Sequence, residues 1–147
     1  MSAHAAGRGV TIAVTRFPAT TRTAQDAARE IGCEVGAIVK SLVFLADDSA
    51  IVVLCSGADR VDEAKLTSAI AASTVRRATA DEAKRATGYA IGGVPPFAHE
   101  AELRVVIDDG LLAFDTVWAA AGLPDAVFPI APADLVRLSN GTVAKIA

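Results

Sequence analysis

A lysine inside an apolar strand and a glycine–proline loop are the two stretches of this chain that could do chemistry. In AIVKSLVF, residues 37–44, period-two alternation puts Lys40 on one sheet face with Ile38, Leu42 and Phe44. Burying an ammonium there is costly unless it is paired, and desolvation lowers its pKa. Two uses fit the pattern. One is an edge-strand lysine that blocks association or snorkels to the rim; the other is a lysine at a pocket floor, aimed at a substrate carbonyl or carboxylate. The second stretch is YAIGGVPPFAHE, residues 89–100. Glycines let backbone approach a ligand and bare successive N–H groups, while prolines hold the following chain extended. Such a loop could cradle a carbonyl oxygen or oxyanion, or serve only as a stiff connection. It lacks GxGxxG and Walker spacing, so a phosphate cradle is not supported.

Other arrangements are weak. A Ser/His/Asp triad would need His99, the only histidine besides His4, and no G-x-S-x-G elbow exists. Cys33 and Cys55 lie in apolar surroundings with no CxxC or Cys/His spacing, and both read as reduced, buried and inert, as in a cytoplasmic protein. No metal-ligand cluster and no cofactor are expected. Asp108, Asp109 and Asp115 could form an acidic site, though a solvated turn explains the first two as well. The net charge of −3 argues against a duplex-binding protein but leaves room for local contact with nucleic acid. Arg76, Arg77, Lys84 and Arg85 form the one basic cluster, readable also as a solvated face. Any chemistry would lean on a lysine, backbone amides and the substrate's own groups.

The elements that must position these groups alternate irregularly along 147 residues, a length suited to one domain spanning 1–147 with a flexible start over 1–9. No apolar run approaches the roughly 20 residues of a membrane span, and the first residues lack a secretory pattern. Strands are expected at 10–17, 37–46, 50–57, 74–78, 103–108, 116–122, 126–131 and 142–147. The second and third make a hairpin around Asp47-Asp48-Ser49. Helices are expected at 23–32, capped by Thr23 and stopped by Gly32, at 61–72 with Leu66, Ala69 and Ile70 inward, and at 80–88 behind the capping box Thr79-x-x-Glu82. A helical turn at LLAF and a last helix begun by Pro132 complete the set. The pattern is α+β, a mixed and curved sheet with helices around it, and the antiparallel hairpin excludes a clean Rossmann order.

Four segments in order, TRTAQDAAREIGCEVGAIVKSLVF, CSGADRVDEAKL, ATGYAIGGVPPFAHE and LLAFDTVWAAAGLPDAVFPIAPADLV, resemble the YbaK / prolyl-tRNA synthetase-associated domain family over nearly the whole chain. The resemblance implies a partly barrel-like mixed sheet wrapped by helices. It also implies an aminoacyl-tRNA deacylase acting in trans, which removes a small mischarged amino acid of alanine or cysteine type from tRNA, with tRNA(Pro) the expected carrier. Implied partners are the tRNA 3′ acceptor end and prolyl-tRNA synthetase, with no membrane and no metal. A non-catalytic tRNA- or synthetase-binding module of the same fold is the alternative. By position, Lys40 matches the family's lysine in (I/V)-x-K-(S/T/N)-L and is the implied catalytic residue. Gly92, Gly93, Val94, Pro95 and Pro96 match the Gly-x-x-Pro loop bordering the aminoacyl pocket, and His99 follows it. Ser56 and Gly57 match the loop after the neighbouring strand, and Phe17 the aromatic position ending the first. Ala98 stands where relatives often have glycine. Ala120 and Val127 are apolar where members that remove cysteine carry polar residues.

Overall fold

The computed structural model describes Gly9 and residues 11–17, 23–99 and 102–147. The flexible start expected over 1–9 lies, apart from Gly9, outside the described residues, as do Glu100 and Ala101 at the end of the loop segment.

The molecule is organised by one hairpin. β2 (Val39–Ala46) and β3 (Ser49–Ser56) pair antiparallel along their full length, from Val39 opposite Ser56 to Ala46 opposite Ser49. Asp47 and Asp48 form the two-residue turn with φ of 48° and 68°, the left-handed pair that a tight hairpin needs and that aspartate tolerates. The Asp47 carboxylate accepts the N–H groups of Ser73 and Thr74, which hold it below the usual carboxylate range and pin the chain entering β4 (Val75–Arg77). β3 is the middle strand, and Val52, Val53, Leu54 and Cys55 are each 0% exposed. A run without polar alternation is what burial on both faces requires.

The main sheet has the order β4-β2-β3-β5-β8, with β5 (Arg104–Asp108) parallel to β3 and β8 (Thr142–Ala144) parallel to β5. A second, antiparallel sheet has the order β1-β7-β6, from β1 (Thr15–Arg16), β7 (Ala126–Ile130) and β6 (Val117–Ala120). Among the described residues one bridge, Ile38 to Trp118, joins the sheets, which do not close into a barrel. Between them Val52, Leu54, Ile107, Phe128 and Leu135 pack into one core, and Phe44, Val53, Leu66, Ile70 and Ile146 pack into a second on the other side of β3. Burying each such side chain contributes about 1.5–3 kcal/mol.

The α-helices among the described residues are α1 (Ala24–Ile31), α2 (Glu63–Ile70), α3 (Ala80–Thr87) and α4 (Pro132–Ser139). Thr23 and Thr79 each close a capping box, with Asp26 and Glu82 in the reciprocal place, and Gly32 and Gly88 end α1 and α3 in left-handed conformation. Expectation and structure differ in several places. The first strand shrinks to Thr15–Arg16, and a 3-10 turn at Val35–Ala37 occupies the lead-in to β2. Ala69 is exposed, because only Leu66 and Ile70 of α2 reach the sheet. Asp108 is no solvated turn: at 2% exposure it accepts the N–H groups of Gly110, Ile146 and Ala147, tying the chain end to β5. Cys55 is buried as expected but Cys33, just past α1, is only half-buried; both are free thiols.

Candidate active site

A cavity of about 290 Å³ lies where α1, β2, α3, the 89–94 loop and the β6–β7 hairpin converge. That is the small end of the range of about 300–1,000 Å³ usual for small-molecule sites. Ala24 and Ala27 come from α1 and Thr23 from its cap, Ala83 from α3, Trp118, Ala120 and Val127 from the second sheet, and Pro124 from the turn between β6 and β7. The loop supplies Ile91, Gly92 and Val94, and β2 supplies Val39 to Val43. Alanines and valines therefore leave the free space, while Phe17 and Trp118 provide broad apolar walls.

Lys40 lines this cavity and is half-buried. Leu42 and Phe44 share its side of the sheet in the α2-facing core, as alternation requires, while Ile38 packs with α1 beyond the strand end. The Lys40 ammonium donates to the carbonyl oxygen of Asp59, in the loop after β3. One of its three protons is spent there, and two remain. Cys55 sits directly opposite Lys40 on β3. Burial pushes the Cys55 thiol up to about 11, against the pull of the Lys40 charge and with the carboxylates of Asp108 and Asp59 adding to the rise. A thiol so placed is not a nucleophile at neutral pH.

The expected site residues divide between the cavity and its supports. Phe17, Lys40, Gly92 and Val94 come together around the cavity. Gly93, Pro95 and Pro96 do not line it; with Val94 and Phe97 they form a buried run. The stretch least suited by composition to a core is thus packed inside. Gly93 lies so close to the turn joining β6 and β7 that a Cβ there would sit 3.0 Å from the Leu123 backbone, while Gly92 turns with φ of +88°, a conformation glycine takes without strain. Ser56 donates to the Gly36 carbonyl at 2.7 Å and accepts from Ala58 N–H at 3.2 Å, and the Gly57 N–H donates to the Ile38 carbonyl at 2.7 Å. These two residues brace the start of β2 from below and stay outside the cavity. His99 is turned back on its own loop, with Nε2 2.7 Å from the Pro95 carbonyl oxygen, in a separate hollow with Glu102 and Arg104.

Ala98 has φ of +63°. A side chain in left-handed backbone costs about 1–2 kcal/mol, which gives glycine at this place a physical reason. Ala98→Gly is expected to stabilise the protein by up to about 1 kcal/mol, since the freer unfolded chain offsets part of the relief. The melting temperature should rise by roughly 2–4 °C per kcal/mol gained, as calorimetry would register.

Reading from the sequence missed Ser41, Arg77, Trp118 and Ala27 as cavity residues. Ser41 carried a signal, being a polar residue in an otherwise apolar strand beside Lys40. Arg77 belonged to the basic cluster, whose members part company in the structure. Arg76 makes a two-pronged bond to Glu82 at 2.9 and 2.8 Å, and this guanidinium, with the Thr79 N–H, holds the Glu82 carboxyl down at about 2. Arg77 instead lies over the Phe44 ring, 5.6 Å from its centre, at the cavity wall. None of the ion pairs among the described residues involves it. Among the described residues no group of three His, Cys, Asp or Glu side chains could hold a metal ion, and no helix is long and apolar enough to cross a membrane.

Residues 18–138 match the family model described as an aminoacyl-tRNA editing domain. The YwhH protein of Bacillus subtilis is 31% identical over 131 residues, covering 88% of this chain and 83% of its own. A proline–tRNA ligase of Lactobacillus gasseri is 35% identical over 88 residues, 60% of this chain but only 16% of the ligase. The match thus falls on one part of a much longer enzyme. Among solved structures, a candidate trans-editing enzyme for prolyl-tRNA synthetase superposes with a TM-score of 0.88 at 44% identity, over 92% of this chain and 85% of that one. The fold, the cavity and these matches agree: the chain belongs to the aminoacyl-tRNA editing domain family.

Proposed function

We propose that this protein is an aminoacyl-tRNA deacylase that works as a single domain in trans. It hydrolyses the ester of a small mischarged amino acid, of alanine or cysteine type, on the 3′-terminal adenosine of tRNA(Pro), in the cytoplasm where charged tRNA is used. The observation that carries this reading is the convergence of Lys40 and Gly92 on one small cavity floored by Ala27, Ala83, Ala120 and Val127.

The ester is an activated bond, so modest catalysis suffices. Lys40 uses its remaining protons to orient the ester and to stabilise negative charge developing on the carbonyl or the departing ribose oxygen. Of the loop amides expected at residues 92–94, those of Gly92 and Val94, which line the cavity, hold the acyl group, since the Gly93 N–H is donated to the Ala90 carbonyl. Water attacks, placed by the ribose hydroxyl beside the ester. Arg77 at the cavity wall suits a phosphate of the acceptor end, a contact that fades with salt. Selection is by volume. A missing methylene costs only about 1–3 kcal/mol, so a site that must spare prolyl-tRNA does better by clash with the larger ring than by affinity for the smaller side chain.

A deacylation panel tests the reading. Alanyl- or cysteinyl-tRNA(Pro) is expected to be cleaved at least about 10 times faster than prolyl-tRNA(Pro). Salt-sensitive tRNA binding with no hydrolysis of any aminoacyl-tRNA would replace the enzyme by a non-catalytic tRNA-binding module.

A further inference from the structure

The edge of β2 that faces the cavity carries a polar group with no structural use. Ser41 lines the cavity, and its Oγ is buried without a hydrogen-bond partner among the described residues. A buried hydroxyl in that state is a cost that alanine at the same place would not incur. The main chain is open at the same residue. The Gly57 N–H donates to the Ile38 carbonyl, which makes the even-numbered residues of β2 the ones that exchange hydrogen bonds with β3. Odd-numbered residues turn their N–H and C=O to the opposite edge, as the bond from the Ala78 N–H to the Val43 carbonyl shows. β4 covers that edge at Phe44 to Ala46, and the Ile38–Trp118 bridge covers its start. Between them, no strand among the described residues pairs with Ser41.

We propose that Ser41 reads the aminoacyl group as a strand one residue long, laid on this open edge; the inference rests on the cavity being an aminoacyl site. An α-amino ester bears an ammonium and a carbonyl on either side of one α-carbon, the arrangement that a strand residue presents. The ammonium donates to the Ser41 carbonyl oxygen, and the ester carbonyl accepts from the Ser41 N–H, the double exchange of an antiparallel pair. Ser41 Oγ accepts a second proton of the ammonium and so gains the partner it lacks. The alanine and valine floor reads size, and the strand edge reads the free amine. Acyl groups without that amine are poor ligands whatever their volume.

The test compares tRNA(Pro) carrying alanine with tRNA(Pro) carrying propionate, which is alanine without its amine, each rate divided by that ester's spontaneous hydrolysis. The wild type is expected to favour the alanyl ester by about 10- to 100-fold in kcat/KM, the worth of a hydrogen bond to a charged group. Ser41→Ala should shrink that preference mainly through the alanyl ester, and Ser41→Thr, which keeps a hydroxyl, should restore part of it. Ser41→Ala should also melt no lower than the wild type, because the hydroxyl it removes has no partner. A wild type indifferent to the amine overturns the proposal, and so does a preference that Ser41→Ala leaves undiminished, since that variant keeps the main-chain pair and loses only the hydroxyl contact. Binding of the stable amides 3′-alanylamino- and 3′-propionylamino-3′-deoxyadenosine gives the same comparison without turnover. If neither tRNA ester is cleaved, the deacylase reading fails, and equal affinity for the two amides then overturns the Ser41 proposal separately.

Discussion

Replacing Lys40 with alanine is expected to lower kcat/KM for alanyl-tRNA(Pro) by about 100- to 1,000-fold, the usual loss when one donor to a developing oxyanion is removed. The structure makes this a clean experiment. Among the described residues the Lys40 ammonium makes one hydrogen bond, to the Asp59 carbonyl, and its strand is held by a full ladder to β3 that does not depend on the side chain. Stability should therefore change little while turnover collapses. Lys40→Arg is not expected to rescue, because a planar guanidinium cannot take the place of a compact ammonium against a small acyl group. Single-turnover deacylation with excess enzyme reads the chemical step directly, and hydrolysis unchanged in Lys40→Ala would remove the proposed mechanism.

The largest expected loss of stability comes from Phe97→Ala. Phe97 is 2% exposed and meets Phe128 edge-on, with ring centres 5.9 Å apart. It follows directly on the buried run from Gly93 to Pro96, and so anchors the loop to the middle strand of the second sheet. Emptying that place costs about 3–5 kcal/mol. At roughly 2–4 °C per kcal/mol the melting point should fall by roughly 6–20 °C. Because Val127, next to Phe128, lines the cavity from the same strand, activity should also fall at temperatures where the variant is still folded. Calorimetry paired with deacylation well below the melting point separates the two effects. A variant that melts like the wild type would show that the loop is held by its prolines alone.

How far these features were legible depended on whether the signal was local. The hairpin and the described helices follow from neighbours in sequence, as do the caps of two of them: β-branched runs, Thr23 and Thr79 with acids three residues on, Gly32 and Gly88 as stops. The face on which Lys40 lies followed from alternation alone. The division into two sheets did not, because it rests on Ile38 meeting Trp118, 80 positions apart, and no local pattern records that pairing. The same limit explains the site. Composition marked the glycine–proline loop as unusual but not that its prolines are buried, since burial depends on the Phe128 strand beneath. Ser56 and His99 matched a motif, yet their side chains turn to nearby carbonyls in three dimensions. Ser41 went unremarked as a single small polar residue, and only the missing partner strand gives it meaning.

The two thiols leave the protein with a natural handle. Cys55 is sealed in the middle strand and resists ionisation, whereas Cys33 stands half-open at the end of the helix whose first turns wall the cavity. Partial burial and the Glu34 charge raise the Cys33 thiol as well, so access and not ionisation separates the two. A maleimide dye added to the native protein attaches first at Cys33, and a fluorophore there would follow tRNA arrival without any engineered change.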